Sequence, residues 1–288
     1  MALYILYRAG YLLANYLPLK LSYGVACFFA DICYFTHHRD REAIIKNLGT
    51  IVGPAADSRA LPGMARELYR NFAKYLVDFF RFSRIDEEYV KKFVKVEGVH
   101  NIDAALAKGK GVIAMSAHIG NWELGGSVIS LIGYPMSAVV LSHRNKRIDD
   151  FFKRQRLLGG FTSIEMGLSL KACYRILRSN QLLGLLGDRD FNKNGLRLDF
   201  FGNKTLFPKG PSVFSYRLGA PIVPTLIVRQ PDDTFRLTFE EPICADTRKP
   251  EDAAVLELAA KCASIIESYV RRYPTQWYIF KDMWNKDA

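Results

Sequence analysis

The run Gly111-Val-Ile-Ala-Met-Ser-Ala-His118-Ile-Gly-Asn121-Trp-Glu123 sets an imidazole at the end of an apolar stretch and a carboxylate five positions later. Open α/β sheets gather their active sites at such strand ends. Five is the wrong interval for two side chains on one helical face, where neighbours sit three or four apart. It suits a turn. With His118 before the helix and Asn121 as its N-cap, Glu123 falls in the first helical turn, where a carboxylate is favoured and can reach back to the imidazole. A histidine oriented by a carboxylate is a general base. His37 and Glu42 share the interval but lie in a charged stretch with no strand before it, so His118 and Glu123 are the candidate catalytic pair.

Asp188-Arg189-Asp190 follows a second apolar run, 182–187. It reads as a DxD-type metal site for a nucleotide sugar, as acids that position a substrate or a neighbouring arginine, or as structural loop caps. The intervening Arg189 and the lack of a further acidic cluster weigh against a metal, and none is assigned. The net charge is +11, and residues 141–178 hold nine basic and three acidic side chains, so a charge of +6 gathers in one patch. Such a patch fits an anionic headgroup or an acidic carrier protein. Nucleic acid is not expected as a partner, because no binding module or aromatic platform accompanies the charge. There is no GxSxG elbow and no phosphate loop; residues 109–114 mimic a dinucleotide fingerprint but precede a strand instead of following one. Five scattered cysteines without a CxxC pair argue against a zinc ribbon or disulfide framework and for a reducing setting.

The elements that must position these residues alternate. Strands are expected at 111–117, 136–141, 182–187 and 221–228, with helices beginning near Asn121, Ile148, Leu170 and Pro211, which predicts an α/β fold with a mostly parallel sheet covered on both faces. A further strand at 235–240 and a helix over 251–273 stopping at Pro274 follow, and residues 39–95 read as helical. Residues 1–36 are aromatic and apolar but contain no uncharged run longer than 11 residues, against the roughly 20 that a bilayer span needs. Two short helices around Pro18 are expected, either lying in the membrane interface with Tyr4, Tyr7, Tyr11 and Tyr16 near headgroup level or packed on the core. The organisation is thus a membrane-interfacial helical segment, 1–38, and a single α/β domain, 39–288.

In order along the chain, Val96-Glu-Gly98, Gly109-Lys-Gly-Val-Ile, His118-Ile-Gly-Asn-Trp-Glu123, Ser142-His-Arg144 with Arg156 and Gly159, Asp188-Arg-Asp190, Phe200-Phe-Gly202, Pro208-Lys-Gly210, Gly219-Ala-Pro-Ile-Val-Pro224 and Pro274-Thr-Gln-Trp277 resemble the lipid A biosynthesis (lauroyl/myristoyl) acyltransferases of the lysophospholipid acyltransferase superfamily. The His-x4-Asp/Glu box enclosing Gly-Asn-Trp is the specific part. The resemblance implies transfer of a fatty acyl group from acyl carrier protein, or from acyl-CoA, to a hydroxyl of an anionic membrane glycolipid such as a lipid A precursor. It implies His118 as base with Glu123 as its partner, and substrate contacts from Asn121, Arg144, Arg147, Arg156, Asp188 and Asp190. A thioester is already activated, so one base and an oxyanion donor suffice for direct attack, and no cofactor follows. The expected location is the cytoplasmic face of the bacterial inner membrane, peripheral or monotopic. The chain departs from the family where Gln276-Trp277 leads to Lys281-Asp-Met-Trp284 instead of a His and Arg-rich tail, and where Arg189 replaces the more usual Gln or His. These departures leave another glycolipid or a lysophospholipid open as acceptor. A DxD glycosyltransferase acting on a membrane lipid and a non-catalytic basic lipid-binding protein are the alternatives.

Overall fold

Pro18 lacks an amide hydrogen and ends one helix while starting the next. In the computed structural model, which describes residues 1–54, 57–167, 169–191 and 193–284, it separates α1 (Ala2–Tyr16) from α2 (Leu19–Thr36). Three further helices precede the sheet region: α3 (His38–Val52), α4 (Leu61–Phe80) and α5 (Glu87–Phe93). Then strands and helices alternate: β1 (Val94–Glu97), α6 (Val99–Leu106), β2 (Val112–Ser116), α7 (Trp122–Leu131), β3 (Met136–Val140), α8 (Lys146–Leu158), β4 (Thr162–Glu165), α9 (Ser169–Arg178) and β5 (Leu182–Leu186). A hairpin of β6 (Leu196–Phe200) and β7 (Asn203–Phe207) intervenes before α10 (Gly210–Leu218), β8 (Ile222–Arg229), β9 (Phe235–Phe239) and α11 (Glu251–Arg272).

Seven strands form one sheet in the order β1-β9-β8-β2-β5-β3-β4, in which only the β8–β9 pair is antiparallel. Successive strand residues face opposite sides. Val112, Leu182, Val223 and Ile227 therefore meet a layer built from α1, α4, α6, α7 and α8. Ile113, Leu183, Leu226 and Val228 meet the opposite layer of α9, α10 and α11. Burial on both faces is why the central strands read as unbroken apolar runs. The expected mostly parallel α/β domain is the fold observed. Two edge strands and the β6–β7 hairpin lie where none was expected. β1 and β4 are four residues long and carry Lys95, Glu97, Thr162 and Glu165, so their pattern lacks the apolar continuity of the interior strands.

The N-terminal helices pack on α4 with one side and leave the other uncovered. Asn15 Nδ2 donates to the Phe80 carbonyl at 2.8 Å, Arg81 to that of Ala14, and Arg66 and Arg70 converge on Asp31. Tyr7 stacks among Phe80, Phe151 and Phe152, and Tyr11 against Phe151. Tyr4, Tyr7 and Tyr11 thus face the core, the second of the two arrangements expected for this segment, because their three- and four-residue spacing puts them on the packed face of α1. Tyr16 alone of the four is turned out, with Leu3, Leu6, Leu13, Phe28 and Phe29. Among the described residues no helix is long and apolar enough to cross a membrane.

Candidate active site

β2 and β5 are parallel neighbours with Ser116 opposite Leu186. Continuing each chain by two residues brings His118 beside Asp188, at the carboxyl ends of both strands. His118 Nδ1 lies 2.9 Å from Asp188 Oδ1, and Oδ2 accepts from the His118 backbone N–H at 3.0 Å and from Trp277 Nε1 at 2.9 Å. Asp188 is fully buried. Burial alone would raise its pKa, but the His118 charge and the hydrogen bonds from His118 and Trp277 outweigh it and hold the carboxyl below the usual range. With Nδ1 engaged, Nε2 is the ring nitrogen left for the cleft that His118 lines.

The histidine loop is fixed by backbone bonds to distant segments. Gly120 N donates to the Gln276 carbonyl at 2.9 Å, Asn121 N to that of Ile227 at 3.1 Å, and Tyr278 N to that of His118 at 2.8 Å. Gly120 has φ +62°, and a β-carbon there would lie 1.8 Å from the Ile227 carbonyl oxygen. Only glycine fits both conditions.

Asn121 caps α7 as expected, its Oδ1 accepting from Leu124 N at 3.1 Å. Its Nδ2 donates to Asp78 Oδ2 at 2.8 Å, so this buried amide, expected to contact substrate, holds the loop and is not among the residues that line the cleft. Asp78 is also bound by Arg229 and, at 2.5 Å, by the Tyr23 hydroxyl. Burial opposes the charge of Arg229, yet Asp78 and Tyr23 push its pKa above the ordinary value. This buried cluster ties the first helical pair to the loop that carries His118.

Glu123 sits in the first turn of α7 but does not reach back to the imidazole. Arg156 on α8 takes both of its oxygens, with Nε at 2.9 and 3.1 Å and Nη2 at 2.6 Å. A guanidinium offers a two-pronged fit from across the layer, whereas Nδ1 already has Asp188. The expected partnership is therefore corrected: the carboxylate on His118 is Asp188, and Glu123 and Arg156 form a buried ion pair. Burial works against the Arg156 charge, and Glu123 more than compensates, raising its pKa.

The remaining expected residues scatter. Asp190 lines the cleft and accepts from Gly195 N at 2.6 Å. The two acids of the Asp-Arg-Asp motif thus do different work, and among the described residues no three His, Cys, Asp or Glu side chains converge as a metal site would require. Arg144 is exposed beside Ser142 and His143, which line the cleft, and Arg147 is exposed on α8 with Nη1 3.2 Å from Met1 Sδ. The single basic patch expected over 141–178 divides, because Lys153 pairs with Asp149 and Glu165, Arg156 is buried, and α8 and α9 lie on opposite faces of the sheet.

Between the sheet and α7 runs a cleft of about 580 Å³. Ala114, Ala138 and Gly184 on one face of β2, β3 and β5, opposed by Gly125 and Gly126 of α7, leave the space open, and Ile129, Met136 and Phe161 line its walls. Its mouth carries His118 between the rings of Trp122 and Phe191, with centroids at 5.1 and 6.5 Å, and the guanidinium of Arg189, which lies over Phe191. Arg189, Trp277 and the small-residue hollow are the parts that spacing alone did not single out.

A profile of the family described as bacterial lipid A biosynthesis acyltransferase matches residues 1–286. The chain is 25% identical to a phosphatidylinositol mannoside acyltransferase of Mycolicibacterium smegmatis, over 98% of this chain and 91% of that one. It is also 25% identical to the lipid A biosynthesis palmitoleoyltransferase of Escherichia coli, over 91% and 85% respectively. A histidine at a strand end, a long apolar cleft beneath it and a match running nearly the whole length agree: the chain belongs to the bacterial lipid A biosynthesis acyltransferase family and is an enzyme that transfers acyl groups.

Proposed function

We propose that the enzyme moves a fatty acyl group from a thioester, carried by acyl carrier protein or coenzyme A, to a hydroxyl of a membrane glycolipid, with His118 as general base and Asp188 as the carboxylate that orients it. The observation that carries this reading is the His118 Nδ1 to Asp188 bond of 2.9 Å at the mouth of an apolar cleft. Nε2 takes the proton of the acceptor hydroxyl as its oxygen attacks the thioester carbonyl, and Asp188 stabilises the imidazolium that results. The tetrahedral intermediate collapses with cleavage of the carbon–sulfur bond, and the imidazolium returns its proton to the departing thiolate. Arg189, which has no ion-pair partner among the described residues, is the cation available to the oxyanion. The cleft suits the hydrocarbon tail, since each buried methylene contributes about 0.8 kcal/mol.

A sugar-bearing lipid as acceptor is supported by the names of the relatives, phosphatidylinositol mannoside in one and lipid A in the other. The uncovered apolar side of α1 and α2 suits peripheral contact with a membrane, where such an acceptor resides, and we assign that contact to the cytoplasmic side of the inner membrane. The test is mass spectrometry of glycolipids incubated with the enzyme and a dodecanoyl thioester. An added ester mass that His118→Ala reduces about 10²–10⁴-fold supports the reading. Full transfer by His118→Ala, or a product that instead gains a sugar, overturns it.

A further inference from the structure

α9 presents Lys171, Arg175 and Arg178 on its outer side, at intervals of four and three residues. They form a stripe about 10 Å long at 1.5 Å per residue. All three are exposed, and none has a carboxylate at ion-pair distance among the described residues. Elsewhere on this layer several cations are neutralised, Arg217 by Glu251, Lys249 and Lys261 by Glu257, and Arg271 by Glu267, while Arg272 of α11 instead lies over the Tyr269 ring. The stripe borders a shallow groove with Tyr174 and Ser179, in which Arg178 lies 5.7 Å from the Tyr174 ring centroid.

Place in the fold distinguishes this stripe from the other basic residues. Phe151 and Phe152 of α8 pack with Tyr7 and Tyr11 of α1, so its cations Arg147 and Arg154 share a layer with the uncovered apolar side of the N-terminal helices. The inner residues of α9, Cys173, Ile176 and Leu177, pack on the opposite face of the sheet. A bilayer in contact with α1 and α2 is therefore separated from the stripe by the thickness of the sheet and both helical layers. Cys173, one residue before Tyr174, lines the acyl cleft from that side.

We propose that the outer face of α9 docks an acidic protein surface, that of the carrier presenting the acyl thioester from the aqueous side. The proposal rests on the thioester-donor reading above. Three cations in helical register, without carboxylate partners among the described residues, complement a row of carboxylates on a partner helix, and a tethered acyl group reaches the cleft to whose lining α9 contributes Cys173.

The test is equilibrium binding of the full-length protein to dodecanoyl acyl carrier protein, dodecanoyl-CoA and dodecanoyl-N-acetylcysteamine, with Lys171→Glu, Arg175→Glu and Arg178→Glu made singly and together. The triple variant should bind the carrier about tenfold or more weakly and bind N-acetylcysteamine thioester as before. Salt should weaken carrier binding by the wild type and have little effect on the variant. Unchanged carrier binding overturns the proposal, as does equal loss for coenzyme A, which marks a small phosphate site, or loss of vesicle binding alone, which marks a lipid surface. A parallel decline for all three donors marks a structural role and overturns it too. Wild-type protein that binds none of the thioesters removes the donor reading itself, a result distinct from a stripe that proves indifferent.

Discussion

Asp188→Asn preserves the shape of a side chain that has no solvent exposure and changes only which of its atoms accept. Oδ2 receives the His118 N–H and the Trp277 indole N–H, neither of which can reverse, so the asparagine carbonyl must take that place and its NH2 must face Nδ1. Nδ1 then has to accept, the ring proton moves to Nε2, and the nitrogen facing the cleft ceases to be a base. The expected loss of turnover is about 10²–10⁴-fold, the range of a positioned base, and the comparable swap in a serine protease triad costs about 10⁴. Thermal stability should change little, since every polar atom keeps a partner, at a cost of about 1–2 kcal/mol for the weakened bonds. Glu123→Gln is the contrast. It leaves the buried Arg156 charge unbalanced, which costs about 3–5 kcal/mol and lowers the melting temperature by roughly 10 °C. Activity of the folded fraction should persist. The assays are thioester-dependent acyl transfer and calorimetry on both variants. If Glu123→Gln abolishes turnover at unchanged melting temperature while Asp188→Asn remains active, the assignment of the carboxylates is wrong. A pH series adds a check of sign: Asp188 has a depressed pKa in the folded state, so its contribution is present above about pH 4 and is lost as pH falls through the folded value. Asp188→Asn should lack that part of the acid dependence.

Gly120→Ala should misplace the histidine loop, adding about 1–2 kcal/mol of backbone strain to the collision with the Ile227 carbonyl, and soluble protein with normal transfer would contradict this. Asp78→Ala should cost about 3–5 kcal/mol in denaturant titrations by leaving the buried Arg229 with only the more distant Asp233, whereas Tyr23→Phe, which leaves the Asp78 pair intact, should cost nearer 1 kcal/mol. Phe28→Ser with Phe29→Ser, at positions 62% and 56% exposed, should leave melting unchanged and weaken sedimentation with liposomes by on the order of tenfold or more; unchanged binding would remove these rings from the membrane contact. Gly184→Val should displace the Met136 methyl, 2.5 Å from the new β-carbon, and shift product ester chains to shorter lengths by mass spectrometry; an unaltered chain distribution would place the tail elsewhere.

Interior strands were legible because parallel strands covered on both faces must be apolar at nearly every position, as β2, β5 and β8 are. The same physics hides the edges. β1 and β4 pair on one side only, tolerate charge, and carry too few residues for a periodic signal. The N-terminal helices were legible as helices and ambiguous in their surroundings, since a greasy helix reads alike whether its partner is lipid or protein. Their two faces take different partners: Ala14, Tyr23 and Ala30 are buried against the body of the protein, while Leu6, Phe28 and Phe29 are uncovered.

His118 was found from its own neighbourhood, because a strand, a turn and an N-cap are all local. Its partner was not, because nearness along the chain favoured Glu123, five residues away, over Asp188, seventy residues away. The signal that finds Asp188 is topological. Both residues stand two positions past strands that pair in parallel with Ser116 opposite Leu186, so once β2 and β5 are neighbours the histidine and the aspartate must meet. The cleft was illegible for the same reason: Ala114, Ala138 and Gly184 are unremarkable small residues until three strands set them on one face opposite two glycines of α7. A short motif can thus supply the histidine and the helix that follows it, while the acid that meets the histidine and the apolar cleft beside it are products of strand order.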